Sequence, residues 1–147
     1  MPRQLRPTSF EAAASALAGA AAGGESVRIL GGQTKRGWGS EVAHPDVELH
    51  TTGLDQIVEH NEGDLTAVLQ AGVPLARAQE RFAAAGQRVA LDPWPGSERE
   101  ATIGGIVATG DCGPLRHHYG APRDLVLGMT VALSDGTIAR SGGKVIK

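Results

Sequence analysis

The chain has 147 residues, of which 21 are glycine and 8 proline against only 2 Phe, 2 Trp and 1 Tyr, so one domain with a core of small aliphatic side chains is expected. A formal charge of −2, with both signs interspersed and no basic stripe, argues against nucleic acid as a partner. No run of about 18 apolar residues is present to span a bilayer, the alanine-rich stretch from Glu11 to Ala22 lacks the layout of a signal peptide, and the single Cys112 closes no internal disulfide; a cytoplasmic protein is expected.

Thr8, Ser9, Phe10 and Glu11 read as a capping box opening a helix over residues 9 to 22, with Thr8 as the cap. Phe10, Ala13, Ala14 and Leu17 recur at helical spacing, and Gly23-Gly24 supplies the stop. Val27 to Leu30 reads as a strand that runs into the glycine loop Gly31 to Gly39. Val47 to Thr51, Gln56 to His60 and Leu65 to Gln70 read as strands and antiparallel neighbours, the last two joined through Asn61-Glu62-Gly63-Asp64. Pro74 can occupy the first turn of a helix with Leu75, Ala78, Phe82 and Ala85 on one side and Gly86 as its stop. Val89 to Leu91 reads as a short strand, and Asp92 to Ser97, with two prolines, as a rigid loop. Near the end, Leu125 to Leu133 and Thr137 to Arg140 flank Ser134-Asp135-Gly136, a hairpin signal.

Two glycine-rich stretches carry the chemistry. In Gly31 to Gly39 successive amides can point into one concavity and hold an anion such as a diphosphate, with Gln33 and Thr34 adding polar groups and Lys35 and Arg36 positive charge; a plain surface turn is the alternative. The loop matches neither the P-loop nor the Rossmann spacing. Between Ala101 and Gly128, the glycines at 104, 105, 110, 113, 120 and 128 are set closely enough that something must lie against bare backbone. Two such cradles suit one long ligand.

The order and spacing of Val27 to Lys35, Thr102-Ile103-Gly104-Gly105, Ala108-Thr109-Gly110, Gly113-Pro114, Arg123 to Gly128 and Ser141 to Lys147 resemble the FAD-binding domain of the vanillyl-alcohol oxidase, or p-cresol methylhydroxylase (PCMH), flavoproteins. Within that family the chain is most similar to the FAD-binding subunit of bacterial glycolate oxidase and related 2-hydroxy-acid dehydrogenases. The resemblance implies an α+β fold: a small α/β subdomain at about residues 1–60, then part of a larger, mainly antiparallel sheet with helices at 61–147. It also implies that Gly31, Gly32, Gln33, Thr34 and Lys35 hold the FAD pyrophosphate, and that Pro93, Gly96, Ser97, Thr102, Gly104, Gly105, Thr109, Gly113, Arg123, Asp124 and Val126 line the rest of the cofactor. Asp124 reads equally as a turn cap or an ion-pair partner.

Gln33 stands where some relatives attach FAD through a histidine, which points to noncovalent binding. His117 and His118 read as solvated, with contact to flavin as the alternative; His44, Asp46, Glu48 and His50 read as a polar strand face rather than metal ligands; Cys112 reads as a space-filler; and Trp38 and Trp94 either pack their loops or stack on a ring. Family members continue past the equivalent of Lys147 into another FAD-contacting segment and a substrate domain, so no catalytic residue is assigned. The resemblance implies oxidation of a 2-hydroxy acid such as glycolate or lactate, with other subunits of an oxidase complex as partners. A non-catalytic module of the same fold that acts in assembly, or binds FAD weakly or not at all, is the alternative; self-association through exposed sheet edges is expected of the chain.

Overall fold

The computed structural model describes residues 1–40 and 44–143, so Lys144 to Lys147 of the final motif lie outside the described residues. Strand β1 (Arg3–Leu5), helix α1 (Phe10–Ala22), β2 (Val27–Leu30) and β3 (Val47–His50) form the first half. Their sheet has the order β1-β3-β2 and is parallel throughout, with Val47 opposite both Arg3 and Val27. The segment 47–51 is therefore no antiparallel neighbour of the strands that follow. It sits in the centre of a sheet whose long connections bring each strand back in the same direction. Nothing in Arg-Gln-Leu announces β1; pairing with the buried Val47 and Leu49 makes it a strand.

Ser9, not Thr8, caps α1. Ser9 is the last extended residue, and its Oγ accepts the Ala12 N–H at 3.1 Å. The helix buries Ala13, Ala14 and Ala20, and Gly24 ends it with φ +66°.

Strands β4 (Ile57–Asn61) and β5 (Thr66–Leu69) pair antiparallel, as their sequence leads one to expect. Helix α2 (Leu75–Ala83) follows Pro74, which occupies the cap position rather than the first turn, and it buries Leu75, Ala78 and Phe82. Val89 to Leu91 forms no strand. The Gln79 side chain of α2 donates to the Val89 carbonyl at 2.7 Å and accepts its N–H at 3.2 Å, so a helix amide does what a neighbouring strand would do.

Helices α3 (Ile103–Thr109), α4 (Arg116–Tyr119) and α5 (Pro122–Leu125) precede the antiparallel hairpin of β6 (Gly128–Ala132) and β7 (Ile138–Gly142). The strand expected from Leu125 starts at Gly128 because Pro122 and the Asp124 carboxylate, which accepts the Ala121 N–H at 2.8 Å, wind a helical turn first. Gly136 turns the hairpin with φ +84°, and a Cβ there would lie 2.8 Å from that of Ala18, so the turn docks on α1. Leu75, Leu91, Ala101 and Ile106 form one buried cluster, Val73, Ala78 and Phe82 an adjoining one, and Val89 and Ile103 pack against both. Leu127, Met129, Val131 and Leu133 form an exposed apolar row along β6.

Candidate cofactor site

Half of the second glycine stretch is helix. Thr102 is buried and caps α3, its Oγ1 accepting the Gly105 N–H at 3.3 Å, while Gly110 ends the helix at φ +63°. Thr109 turns its hydroxyl back onto the Gly105 carbonyl at 2.8 Å. Of the six glycines between 101 and 128, only Gly110 and Gly120 take positive φ. At Gly104, Gly113 and Gly128 other parts of the chain come close, whereas a Cβ on Gly105 would meet only the Thr102 hydroxyl of its own helix cap.

Those close approaches bring the two stretches together. A Cβ on Gly32 would overlap the Glu100 carbonyl oxygen, and one on Gly31 would lie 2.5 Å from Thr102 Oγ1. Gly104 faces Ala71, whose Cβ would be 2.7 Å away, and Gly113 faces Asp92 at 2.6 Å. Asp92 uses both oxygens to hold the segment, accepting the Gly113 N–H at 2.9 Å and the Leu115 N–H at 2.8 Å. Asp92 carries no sequence signal for this, since its partners lie 21 and 23 residues away. Bare backbone here serves first to pack the chain on itself.

The first loop leaves β2 and turns through Gln33, a non-glycine at φ +59°, with Arg36 N–H to Gln33 carbonyl and Trp38 N–H to Lys35 carbonyl bonds behind it. Among the described residues, the amides of Gly31, Gly32, Gln33, Thr34 and Lys35 have no backbone acceptor. The left-handed residue, Gln33, is the middle one of these five consecutive donors, the backbone turn from which anion-binding nests are built. The two cations beside it are committed elsewhere. Lys35 Nζ pairs with Asp111, both side chains being largely buried at 14% and 12% exposure. Arg36 bonds Gln33 Oε1 at 3.0 Å and lies 3.4 Å from Glu48. Beside these amides, both cations are thus paired with other side chains of the chain.

Asp111, which the sequence does not single out, also accepts the Trp94 N–H at 3.2 Å. Trp38 and Trp94 meet edge to face with centroids 6.1 Å apart, and Lys35 Nζ lies 5.5 Å from the Trp38 ring centre. Beside them Pro93 is buried, and Ser97, also buried, donates its hydroxyl to the Trp94 carbonyl at 2.6 Å. Gly96 takes φ +86° with open space where a Cβ would stand. The two loops and the end of α3 thus meet at one place. Arg123, Asp124 and Val126 lie further along, on and after α5, which packs against α3. The Arg123 side chain is exposed, with Nε 3.6 Å from Asp124 Oδ1, and Asp124 makes the turn cap.

The remaining candidates are drawn into local contacts or stand exposed. Asp46 accepts the Ser26 hydroxyl at 2.7 Å and the Ser26 N–H at 2.8 Å, and the hydroxyl and amide bonds hold its carboxyl below the usual carboxylate range. Glu48 is buried under Gln4, whose amide donates at 2.8 Å, with Arg36, Arg28 and His50 around it; the Gln4 bond first, then these charges, lower its pKa. His44, His117 and His118 are exposed, and Arg116 lies 4.0 Å from the Cys112 sulfur.

A parallel αβ unit packed against a helical, glycine-rich segment is the fold of the PCMH-type FAD-binding domains. The chain belongs to the FAD binding domain family, which matches residues 3–142. It is 37% identical over 91 residues to glycolate oxidase subunit GlcE of Escherichia coli, covering 62% of this chain and 26% of that protein. It is 31% identical over 143 residues to a D-lactate dehydrogenase of Archaeoglobus fulgidus, covering 97% of this chain and 31% of that protein. The structure of 6-hydroxy-D-nicotine oxidase from Arthrobacter nicotinovorans superimposes with a TM-score of 0.80 at 18% identity, covering 97% of this chain and 31% of that one. The chain thus spans about a quarter to a third of the length of these curated relatives. Among the described residues no helix is long and apolar enough to cross a membrane.

Proposed function

We propose that this chain holds the diphosphate end of FAD within a flavin-dependent oxidoreductase that acts on a 2-hydroxy acid such as glycolate or lactate. The observation that carries the binding role is the run of amides from Gly31 to Lys35, which among the described residues have no backbone acceptor, with Gly31 and Gly32 set against Glu100, Ala101 and Thr102. In this reading Gly31, Gly32, Gln33, Thr34 and Lys35 present their N–H groups to the diphosphate. Gly96, open on its Cβ side, and Gly105, whose Cβ would meet only Thr102 Oγ1, leave room for the flat parts of the cofactor, flanked by Pro93, Ser97, Gly104, Thr109 and Gly113. Arg123, Asp124 and Val126 would border its far side. The flavin, when bound, supplies acceptance of a hydride; the protein supplies position and a dry wall. The substrate class rests on the names of the relatives, a glycolate oxidase subunit and a D-lactate dehydrogenase.

Gln33 in the nest supports noncovalent attachment, and its side chain is already engaged with Arg36. The test is titration of the purified chain with FAD, read by quenching of flavin fluorescence. Saturable one-to-one uptake, with the flavin released into the supernatant on acid precipitation, is expected. A chain that leaves flavin fluorescence unchanged overturns the binding role, and flavin that stays with the precipitate overturns noncovalent attachment.

A further inference from the structure

The geometry points to Asp111 as a positioning residue for the cofactor site: with Lys35, Trp38 and Trp94 it forms a clasp that sets the distance between the amide nest and the opposite wall. This rests on the FAD-binding role proposed above. Three segments far apart in sequence converge on one carboxylate. Lys35 comes from the first glycine loop, Trp94 offers its N–H from the proline loop at 3.2 Å, and Asp111 itself follows the last turn of α3. The ion pair is largely buried, so each charge depends on the other for solvation. The Trp38 and Trp94 rings close the same junction from outside, 59% and 63% exposed and touching edge to face.

The arrangement gives Lys35 a role other than neutralising a diphosphate. Its ammonium is already spent on Asp111, and Arg36 is tied to Gln33 and Glu48 on the other side of the loop. The two neighbouring cations pull the loop toward the second wall and toward the sheet respectively. A nest of backbone donors works only when its amides are held at the separation the ligand needs, because donors that must reorganise on binding lose affinity. Asp111 is thus an anchor that fixes where the nest stands, and it touches neither flavin nor substrate.

The chain has only two tryptophans, both in this cluster, so their exciton couplet in far-ultraviolet circular dichroism reports the clasp directly. In Asp111→Asn the couplet is expected to collapse and the FAD dissociation constant to rise about tenfold, as expected when one partner of a buried pair is removed. Lys35→Met should weaken FAD to a similar extent. The double variant Lys35→Met with Asp111→Leu replaces the pair by apolar contact; it should regain the couplet and bind within about threefold of the wild type, since buried pairs are often replaceable in this way. It also keeps the test alive if either single variant fails to fold. The proposal is overturned if Asp111→Asn keeps both couplet and affinity, or binds FAD more tightly. It is equally overturned if the double variant has its couplet but binds as weakly as Lys35→Met, which would mean that the Lys35 charge acts on the cofactor itself. Absence of FAD uptake by the wild-type chain would remove the function proposed above, and the couplet of Asp111→Asn would then decide the clasp by itself.

Discussion

Single atoms decide what the glycines are for. At Gly32 an added Cβ would overlap the backbone oxygen of Glu100, and backbone cannot swing aside as a flexible side chain does. Gly32→Ala is therefore expected to cost about 3 kcal/mol in a urea melt, the upper range for overpacking, and to separate the two walls of the site. Gly37 lies in the same loop with nothing within 4 Å of its Cβ position, and Gly37→Ala should change stability by less than about 0.5 kcal/mol. The contrast matters because the sequence shows both as equivalent letters of one glycine-rich loop. Equal losses in the two variants would show that the loop, rather than its contact with Glu100, is what the fold depends on.

At the scale of elements, side chains replace pairings that the sequence pattern leads one to expect between strands. Val89 has its N–H and carbonyl both satisfied by Gln79, so a segment with strand composition runs as a tethered loop along α2. Gln79→Leu leaves two polar backbone groups without partners and is expected to destabilise by about 2 kcal/mol, with faster amide exchange at Val89 as the local check. Slow exchange there in the variant would show that another acceptor takes over. The same substitution of roles appears at Asp92, which ties Gly113 and Leu115 across the chain, and at Asp124, whose carboxylate makes a helical turn where apolar periodicity suggests a strand from Leu125. The partners of Gln79 and Asp92 lie 10 to 23 residues away and that of Asp124 three residues back, and hydrophobic spacing carries no record of any of them.

For the molecule as a whole, the fold lowers the pKa values of several carboxylates, and the acid limb of stability is expected to follow them. Hydrogen bonds from Ser26 lower Asp46, the Gln4 amide and neighbouring cations lower Glu48, and hydrogen bonds from the Thr137 backbone and hydroxyl lower Asp135. A group with a depressed folded pKa stabilises above its unfolded pKa, and that contribution fades as pH falls through the folded value. Stability should thus hold near neutrality and decline as pH drops below roughly 4, the unfolded carboxylate range. Asp46→Asn, which cannot take up a proton there, is expected to flatten this decline in urea melts at successive pH values. An unchanged slope would place the acid sensitivity elsewhere.

Elements whose cause is local were legible in the chain itself. Helix α1 with its glycine stop, the β4–β5 and β6–β7 hairpins, α2, and the glycine loop after β2 follow from capping, periodicity and turn chemistry, which act between residues close in sequence. Family membership was legible too, from the order and spacing of the glycine motifs. The tertiary structure alone decided that β3 is the centre of a parallel sheet and that Gly31 and Gly32 abut Glu100 and Thr102. It also decided that Lys35 and Arg36 are anchors rather than free charge, with Asp111 as the partner of one of them. The reason is that ion pairs and close approaches between distant segments depend on where folding brings them, and a sequence records which groups are available but not which ones meet.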